Sequence, residues 1–227
     1  MTTAAAPTVR ADDLADLRGV RATFLSSGSA RILLVGAVGL TVARLVVGGV
    51  GRGDLIVVAA TAAIAGPVEW TIHRFLLHAP PTSWTSRVLG TGLRHREHHL
   101  DPPAIDWLML RGVDAGVFVA AFGAVTAAWT LPLLAVTGSA LLGPFLTAWM
   151  LAAVGLAHYE WVHLLVHSRH RCRNRYYARL ARNHRRHHYR NERYWLGVTT
   201  NSGDRLLGTY PADTALVEIS RTARDLP

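Results

Sequence analysis

The run L-L-G-P-F-L-T-A-W-M-L-A-A-V-G-L-A-H-Y-E-W-V-H-L-L-V-H occupies residues 141–167 and decides the class of fold. Its apolar part, about residues 141–166, is long enough for a helix that crosses the hydrocarbon core of a bilayer, which takes roughly 20 residues. Three further apolar stretches, at about residues 31–50, 54–73 and 113–136, approach the same length. We therefore predict an all-α integral membrane protein with a bundle of four transmembrane helices.

The composition agrees with a membrane protein of one domain. The 227 residues are 50% apolar and carry a formal net charge of +9, and their mean hydropathy is +0.21. All 24 basic residues are arginine, which together with abundant Ala and Gly suggests a GC-rich bacterial source and hence the bacterial inner membrane. Cys172 is the only cysteine, so an internal disulfide is excluded.

Two charged residues fall within the predicted spans. Arg44 lies within about two turns of the end of its span, so we expect its side chain to reach the membrane interface. Glu69 precedes His73 by one helical turn and therefore shares a helix face with it.

The distribution of arginine predicts the orientation in the membrane, because positive residues in short loops stay on the cytoplasmic side. The two short connections, around residues 51–53 and 137–140, carry only Arg52. Arginines are frequent before the first span and between the second and third, and thirteen follow the fourth. We therefore expect both termini in the cytoplasm, with a helical cap that carries the histidines on the same side.

The segments outside the spans are predicted as follows. Residues 1–27 form an N-terminal tail or an interfacial helix, because acidic residues stand where a signal peptide would carry basic ones. Residues 28–211 form the membrane domain, and residues 212–227 form a C-terminal tail.

Ten of the twelve histidines fall into four clusters that adjoin or follow apolar stretches. The clusters are His73 and His78; His95, His98 and His99; His163 and His167; and His184, His187 and His188. First-row metal ions accept neutral imidazole and take about four to six ligands, so ten imidazoles most naturally fill two neighbouring coordination spheres.

Helical spacing predicts how the clusters are presented. Residues three and four apart share a helix face, so we expect each of the last three clusters to point in one direction. His73 and His78 are five apart, which predicts that the helix ends or distorts between them.

Carboxylates near the clusters are candidates for the outer hydrogen bonds of metal ligands, because a bound imidazole usually donates its other N–H to a carboxylate or carbonyl. Glu69 and Glu160 each lie about one turn before a clustered histidine. Glu97 and Asp101 are further candidates, although Glu97 is equally suited to a surface pair with a neighbouring arginine.

The motifs resemble, in order and spacing, the fatty acid hydroxylase and sterol desaturase superfamily of integral membrane di-iron oxygenases. They are H-R-F-L-L-H at 73–78, R-H-R-E-H-H at 94–99, Y-E-W-V-H-L-L-V-H at 159–167, N-H-R-R-H-H-Y-R-N-E-R-Y-W-L-G-V at 183–198 and G-D-R-L-L-G-T at 203–209. The resemblance covers about residues 55–211 and implies that the ten clustered histidines are metal ligands and, through the metal pair, the catalytic residues. His158 and His170 lie outside the motifs, and Asn201 and Asp204 are expected to make outer or capping contacts.

The resemblance also implies the chemistry. We expect two iron ions, O2 and electrons from a separate reductase acting through a ferredoxin or cytochrome; zinc would fit the same ligands but is redox-inert. The expected reaction is hydroxylation or desaturation of a membrane lipid such as a fatty acyl chain, a sterol or a carotenoid. Trp161, Tyr194 and Trp195 are candidate substrate contacts, with anchoring at the membrane interface as the alternative.

Two other classes of function fit parts of the sequence. A histidine-rich membrane metal transporter or metal-binding protein would also cluster histidines, but transport sites tend to lie near the bilayer midplane. The arginine-rich residues 169–193 and a pI near 10.9 fit nucleic-acid binding. Positive-inside topology and anionic lipid headgroups account for that charge, so we expect no nucleic-acid partner. The sequence does not indicate an oligomeric state.

Overall fold

The computed structural model describes residues 9–226, which form helices and loops without β-strands, as predicted. In chain order the α-helices are α1 (Leu17–Ser26), α2 (Gly28–Val47), α3 (Arg52–Ile72), α4 (Trp84–Leu89), α5 (Thr91–Leu100), α6 (Ile105–Leu108), α7 (Gly112–Val136), α8 (Leu142–His167), α9 (Arg175–Tyr189) and α10 (Ser202–Leu206). A π-helical turn at His73–Leu77 continues α3, and short 3-10 turns lie at Ala11–Asp13 and Thr214–Leu216.

Four helices, α2, α3, α7 and α8, are long and apolar enough to cross a membrane, which confirms the four predicted spans. Short connections join α2 to α3 and α7 to α8, and α8 packs against α2, α3 and α7. The C-terminal ends of α3 and α8 therefore lie at the same end of the bundle as the starts of α2 and α7. We call this the histidine end, because every histidine cluster lies there or in the helices that follow.

Arg44 lies at the opposite end, one turn before α2 ends, and its guanidinium donates to the carbonyls of Gly48 and Gly49 in the turn that follows, at 3.0 and 2.8 Å. The side chain is thus directed to the end of its span, and its contact with the membrane interface stays a prediction. Its guanidinium donates to Asp54 Oδ1 at 2.8 and 3.0 Å and to Thr147 Oγ1 at 2.8 Å, and the arginine is only 7% exposed. A buried cation is stable only when it is paired and hydrogen-bonded, and Asp54, across the α2–α3 turn, provides the pair. The network joins α2, α3 and α8.

The N-terminal residues pack against the histidine end. Val20 and Phe24 of α1 are buried in one apolar cluster with Leu164 and Leu165 of α8. Before α1, the Ala11 amide donates to the carbonyl of Pro103 at 2.8 Å. Residues 9–26 are thus in direct contact with the helix that carries the third histidine cluster.

Helix α10 packs against α3 at a point where only glycine fits. A Cβ atom on Gly203 would lie 2.7 Å from Cβ of Trp70 and 2.9 Å from the carbonyl carbon of Gly66. Real Cβ atoms do not approach so closely. This contact holds the loop that precedes α10 against the end of α3, next to the first histidine cluster.

Candidate metal centre

The ten clustered histidines converge in two groups of five. The first group contains His73, His78, His95, His99 and His187, and the second contains His98, His163, His167, His184 and His188. Within each group, one ring nitrogen from every histidine lies within 4.8 Å of all the others. The groups adjoin each other, since the ring centroids of His99 and His188 are 4.2 Å apart.

The groups do not follow the sequence clusters, and our expectation that each cluster points in one direction is wrong for the two His-x-x-His-His motifs. In each motif the outer pair, four residues apart, joins one group, whereas the middle histidine joins the other. The middle and last histidines are adjacent in sequence, so they point about 100° apart on a helix. Helices α5 and α9 therefore bridge the two groups in a reciprocal way.

The remaining pairs come from the ends of the spans. His163 and His167 lie four apart on α8 and both belong to the second group. His73 and His78 belong to the first group, although a spacing of five would turn them apart on an α-helix. The π-helical turn resolves this, because its hydrogen bonds join residues five apart, and the His78 amide donates to the His73 carbonyl at 3.1 Å. The predicted distortion is thus a π-turn.

The spacing of the ring nitrogens fits a metal ion in each group. Nε2 atoms approach at 3.1 Å between His73 and His95 in the first group, and at 2.9 Å between His167 and His184 in the second. Ligands at about 2.1 Å from an ion are about 3.0 Å apart along the edge of an octahedron. Five such nitrogens per group make a nitrogen-only coordination sphere.

Hydrogen bonds to backbone carbonyls orient three rings of the first group. Nδ1 of His99 lies 2.7 Å from the Ala223 carbonyl and Nδ1 of His187 lies 2.9 Å from that of Tyr194, while Nδ1 of His73 contacts the Leu196 carbonyl. A neutral imidazole that donates from Nδ1 keeps a free lone pair on Nε2.

The Nε2 lone pairs of the first group are also free of hydrogen bonds at three histidines. In the part of the chain that the structure describes, the buried Nε2 atoms of His78, His99 and His187 have no hydrogen-bond partner. Three unpaired, buried ring nitrogens in one group would be costly without a ligand of their own. The residues present therefore fit a metal ion.

Burial keeps the histidines neutral. It lowers the pKa of His99 to about 4 and lowers the pKa values of His95, His98 and His188 well below their usual range, and neighbouring imidazoles lower these last three further. Neutral imidazole is the form that binds a metal. The groups are consequently ready to bind at neutral pH without first losing protons.

The carboxylates that we predicted behind the ligands bond to other groups. Glu69 accepts from the amides of Val198 and Thr199, both at 2.7 Å, and Glu160 accepts from the Ser29 hydroxyl at 2.9 Å. Among the described residues, neither of these carboxylates is hydrogen-bonded to a clustered histidine. Backbone carbonyls take that role in the first group, because loops packed over the span ends are closer to the ring nitrogens.

The other two acidic candidates also lie away from the rings. Asp101 accepts two hydrogen bonds from the Arg10 guanidinium, at 2.6 and 2.9 Å. Glu97 is exposed.

Glu69 and Asp204 instead hold the loop of residues 194–199. Asp204 is fully buried and accepts from the amides of Leu196 and Gly197, both at 2.8 Å, while Glu69 holds the next two residues. Trp195, within this loop, has φ of 52°, a conformation that non-glycine residues rarely adopt and that is found at functional sites. The loop presents the Tyr194 and Leu196 carbonyls to the first group.

The predicted substrate contacts occupy different environments. Trp161 packs edge-on against Phe24, with ring centroids 5.5 Å apart, and Trp195 is 1% exposed beneath Arg186. Tyr194 is partly exposed. Their role towards a substrate stays a prediction.

The remaining polar candidates lie beside the groups. Asn201 accepts from Asn183 at 3.2 Å, next to His184. His158 stacks on Tyr176, with ring centroids 6.5 Å apart, and His170 follows α8; both lie outside the two groups, as expected.

Comparison with known families decides the class of protein. A family model described as fatty acid hydroxylase matches residues 57–209, more than half of the chain. The chain belongs to the fatty acid hydroxylase family. The matched range contains all ten histidines of the two groups. In this fatty acid hydroxylase family member, residues 210–226 of the described chain lie beyond the matched range. No curated protein and no solved structure matches the chain.

Membership in this family, together with the four apolar helices and the histidine groups, identifies a membrane protein of lipid hydroxylase or desaturase type. Sequence reasoning missed the backbone carbonyls that orient the first group. Every residue has a backbone carbonyl, so the sequence does not mark the ones that accept from a histidine. The motif at 183–198, which contains Tyr194 and Leu196, was the one sequence feature near them.

Proposed function

We propose that this family member is a membrane-bound, O2-dependent di-iron oxidoreductase that hydroxylates or desaturates a lipid. One observation carries the proposal: two adjoining groups of five neutral, largely buried imidazoles lie at the end of membrane-spanning helices. Such a ligand set exceeds what a single ion takes and suits two. The ligand set and the family both support metal-linked oxidation of a lipid.

Iron is the metal that gives the ligand set a catalytic use. Imidazole nitrogen also accepts zinc, so zinc is an expected occupant after purification, but zinc has no redox chemistry. Two ferrous ions held by the groups would supply electrons to O2, which would then oxidise an unactivated C–H bond of the lipid, and the external donor would replace those electrons. The chain itself supplies binding, orientation and exclusion of water.

The residues of the centre are placed for these three tasks. Eight of the ten histidines are no more than 6% exposed, which keeps bulk water from the ligand atoms. Helices α5 and α9 each contribute histidines to both groups, so the two sites share the same pair of helices.

The substrate class follows from the position of the centre. The groups lie where α3 and α8 end, so a substrate with an apolar chain in the bilayer would reach them along these helices. We propose a fatty acyl chain, a sterol or a carotenoid, with the partly exposed Tyr194 as a substrate contact. Trp195 is buried, and the partly buried Trp161 packs against Phe24, which favours a supporting role for both.

We further propose that electrons come from a separate reductase through an acidic ferredoxin or cytochrome. Helix α9 supports this, because its inner face carries histidines of both groups and its outer face carries exposed arginines at Arg175, Arg179, Arg182 and Arg185. Charge complementarity of this kind speeds the association of partners. With the arginine distribution, it supports a centre and termini on the cytoplasmic side of a bacterial inner membrane.

The proposal is tested by untargeted lipid mass spectrometry of a host that expresses the wild type, the His187→Ala variant or the control Arg179→Ala. We expect a lipid with one added oxygen, or one lacking two hydrogens, in the wild type and no such lipid with His187→Ala. Arg179→Ala removes an exposed arginine and should retain the product at a reduced rate. Turnover by His187→Ala, with the protein inserted in the membrane, would refute the ligand role.

The transporter alternative predicts a different outcome. A transporter would move metal into vesicles without altering any lipid, and its sites would be expected near the midplane of the bilayer. No lipid change in a host with confirmed iron loading and a working reductase, together with metal uptake that His187→Ala abolishes, would favour transport over oxidation.

A further inference from the structure

Residues 217–226 lie beyond the region that matches the family and contact a histidine of the first group. We call them the C-terminal strap. Val217, Ala223 and Leu226 of the strap are buried, at 3–6% exposure. A solvated tail would expose such residues, so the strap is part of the folded structure.

The first half of the strap is attached to the end of α9. The Ser220 amide donates to the Arg190 carbonyl at 2.7 Å, and the Arg190 side chain donates back to the Val217 carbonyl at 2.7 Å. The Thr222 hydroxyl donates to Glu192 at 2.7 Å, and Glu192 is only 4% exposed. These contacts begin two residues after His188, the last histidine of α9.

The second half of the strap is attached to the end of α5. The Ala223 carbonyl accepts from Nδ1 of His99 at 2.7 Å. The Arg224 side chain donates to the carbonyls of His99 and Leu100, at 3.0 and 2.7 Å. Arg96, on the same helix, donates to the Leu226 carbonyl. The strap therefore contacts a histidine of the first group through both its ring and its backbone.

We propose that the C-terminal strap is a positioning element for the metal site of the first histidine group. The Ala223 carbonyl holds the proton of His99 on Nδ1, so that the unpaired Nε2 faces the other four ligands. Arg224 fixes the end of α5 so that the ring stays in place. Among the described residues, the strap makes no hydrogen bond to a histidine of the second group, so its effect is confined to the first site.

The inference rests on the proposed metal-binding function and predicts unequal sites. Loss of an outer partner of a metal-bound histidine typically weakens metal binding by about 10–100-fold. Weakening the strap should therefore lower the affinity of one site by that factor and leave the other unchanged. An element that served only stability would weaken both sites together as the fold loosens.

The test compares Arg224→Ala with Arg221→Ala, which removes an exposed arginine of the same strap. Detergent-purified full-length variants are loaded with Fe(II), challenged with a chelator, and assayed for iron per chain and for helical circular dichroism. We expect two ions in the wild type and in Arg221→Ala. For Arg224→Ala we expect one ion to be lost up to about 10-fold more readily, at the low end of the range for loss of an outer partner, because the Ala223 carbonyl remains and only the contacts that hold it beside His99 are lost; helicity should be unchanged.

A double variant separates positioning from general stabilisation. If the strap acts through His99, Arg224→Ala combined with His99→Ala should lose iron no faster than His99→Ala alone, because coupled residues are non-additive. Additive loss, or equal weakening of both sites in Arg224→Ala, would overturn the proposal while leaving the metal centre intact. A wild type that binds no iron would overturn the proposed function itself and the strap with it.

Discussion

The Asp204→Asn substitution examines how the loop of residues 194–199 supports the first histidine group. The Asp204 carboxylate accepts three hydrogen bonds, from the amides of Leu196 and Gly197 and from the Thr209 hydroxyl at 2.6 Å. An asparagine side chain has a single acceptor oxygen. Its NH2 group would face one of these donors, most directly the Gly197 N–H, which contacts the other carboxylate oxygen.

These contacts determine how much stability and iron affinity the substitution should remove. Hydrogen bonds to a charged group contribute about 1.5–3 kcal/mol each, and a buried donor left without a partner costs about 1–3 kcal/mol. Asp204 is fully buried, so solvent cannot replace the lost bond. We expect Asp204→Asn to lower the free energy of unfolding by about 3–5 kcal/mol. We also expect iron binding at the first group to weaken by about 10–100-fold, because the Leu196 carbonyl that orients His73 moves with the loop.

Two measurements on detergent-purified protein check this prediction: thermal unfolding without metal, and iron binding in competition with a chelator. The control is Asp213→Asn, the same substitution at an exposed residue that caps only the Ala215 amide. The control should unfold and bind iron nearly as the wild type does. Asp204→Asn with unchanged stability would refute the hydrogen-bond argument, and lowered stability with unchanged iron affinity would refute the link from the loop to the first group.

Three further changes test the packing of α10, the Arg44–Asp54 pair and the protonation of His99. Gly203→Ala forces a methyl group into the contact with α3 and should destabilise the protein by about 1–3 kcal/mol in thermal melts, whereas Gly155→Ala, with open space around it, should not. Asp54→Ala leaves the Arg44 charge buried and unpaired and should lower the free energy of unfolding by about 3–5 kcal/mol. Iron per chain should remain at the wild-type value, because the pair lies at the end of the bundle opposite the histidines; loss of iron would contradict this. Acidification should destabilise the metal-free protein, because the pKa of His99 is about 4 in the folded chain and 6.5 in the unfolded chain. Below pH 6.5 the unfolded chain therefore binds more protons, and the free energy of unfolding should fall towards pH 4 by up to about 3 kcal/mol from this residue. A melting temperature that does not change with pH would contradict this.

The fold could be predicted to a large extent because hydropathy reports directly on membrane spans. All four long helices lie within a few residues of the apolar stretches that predicted them. The Arg44–Asp54 pair was missed because hydropathy treats each charge alone, whereas the burial of the pair depends on α2 and α3 meeting at their turn. The contacts of the C-terminal strap were missed because residues 217–226 have no helical or strand periodicity.

The sequence predicts which histidines form the candidate site but not how they divide into two groups. Histidine spacing brought the same ten residues into consideration that the structure places together. Their division into two groups depends on how α5 and α9 face each other, which no local spacing encodes. The π-turn after α3 likewise depends on tertiary packing. Glu69 and Glu160 were expected to accept hydrogen bonds from the ligand histidines because of their helical register. They accept instead from nearby backbone amides and a serine hydroxyl.

Counting iron in the purified protein and measuring X-ray absorption at the iron edge would determine whether the ten imidazoles hold two metal ions. We expect two ions per chain, each surrounded by a nitrogen shell at about 2.1 Å. One ion should remain when His98→Ala removes a ligand from the second group and leaves the first group intact. A single ion in the wild type, or a wild type and His98→Ala with identical iron content and identical spectra, would contradict the two-metal site.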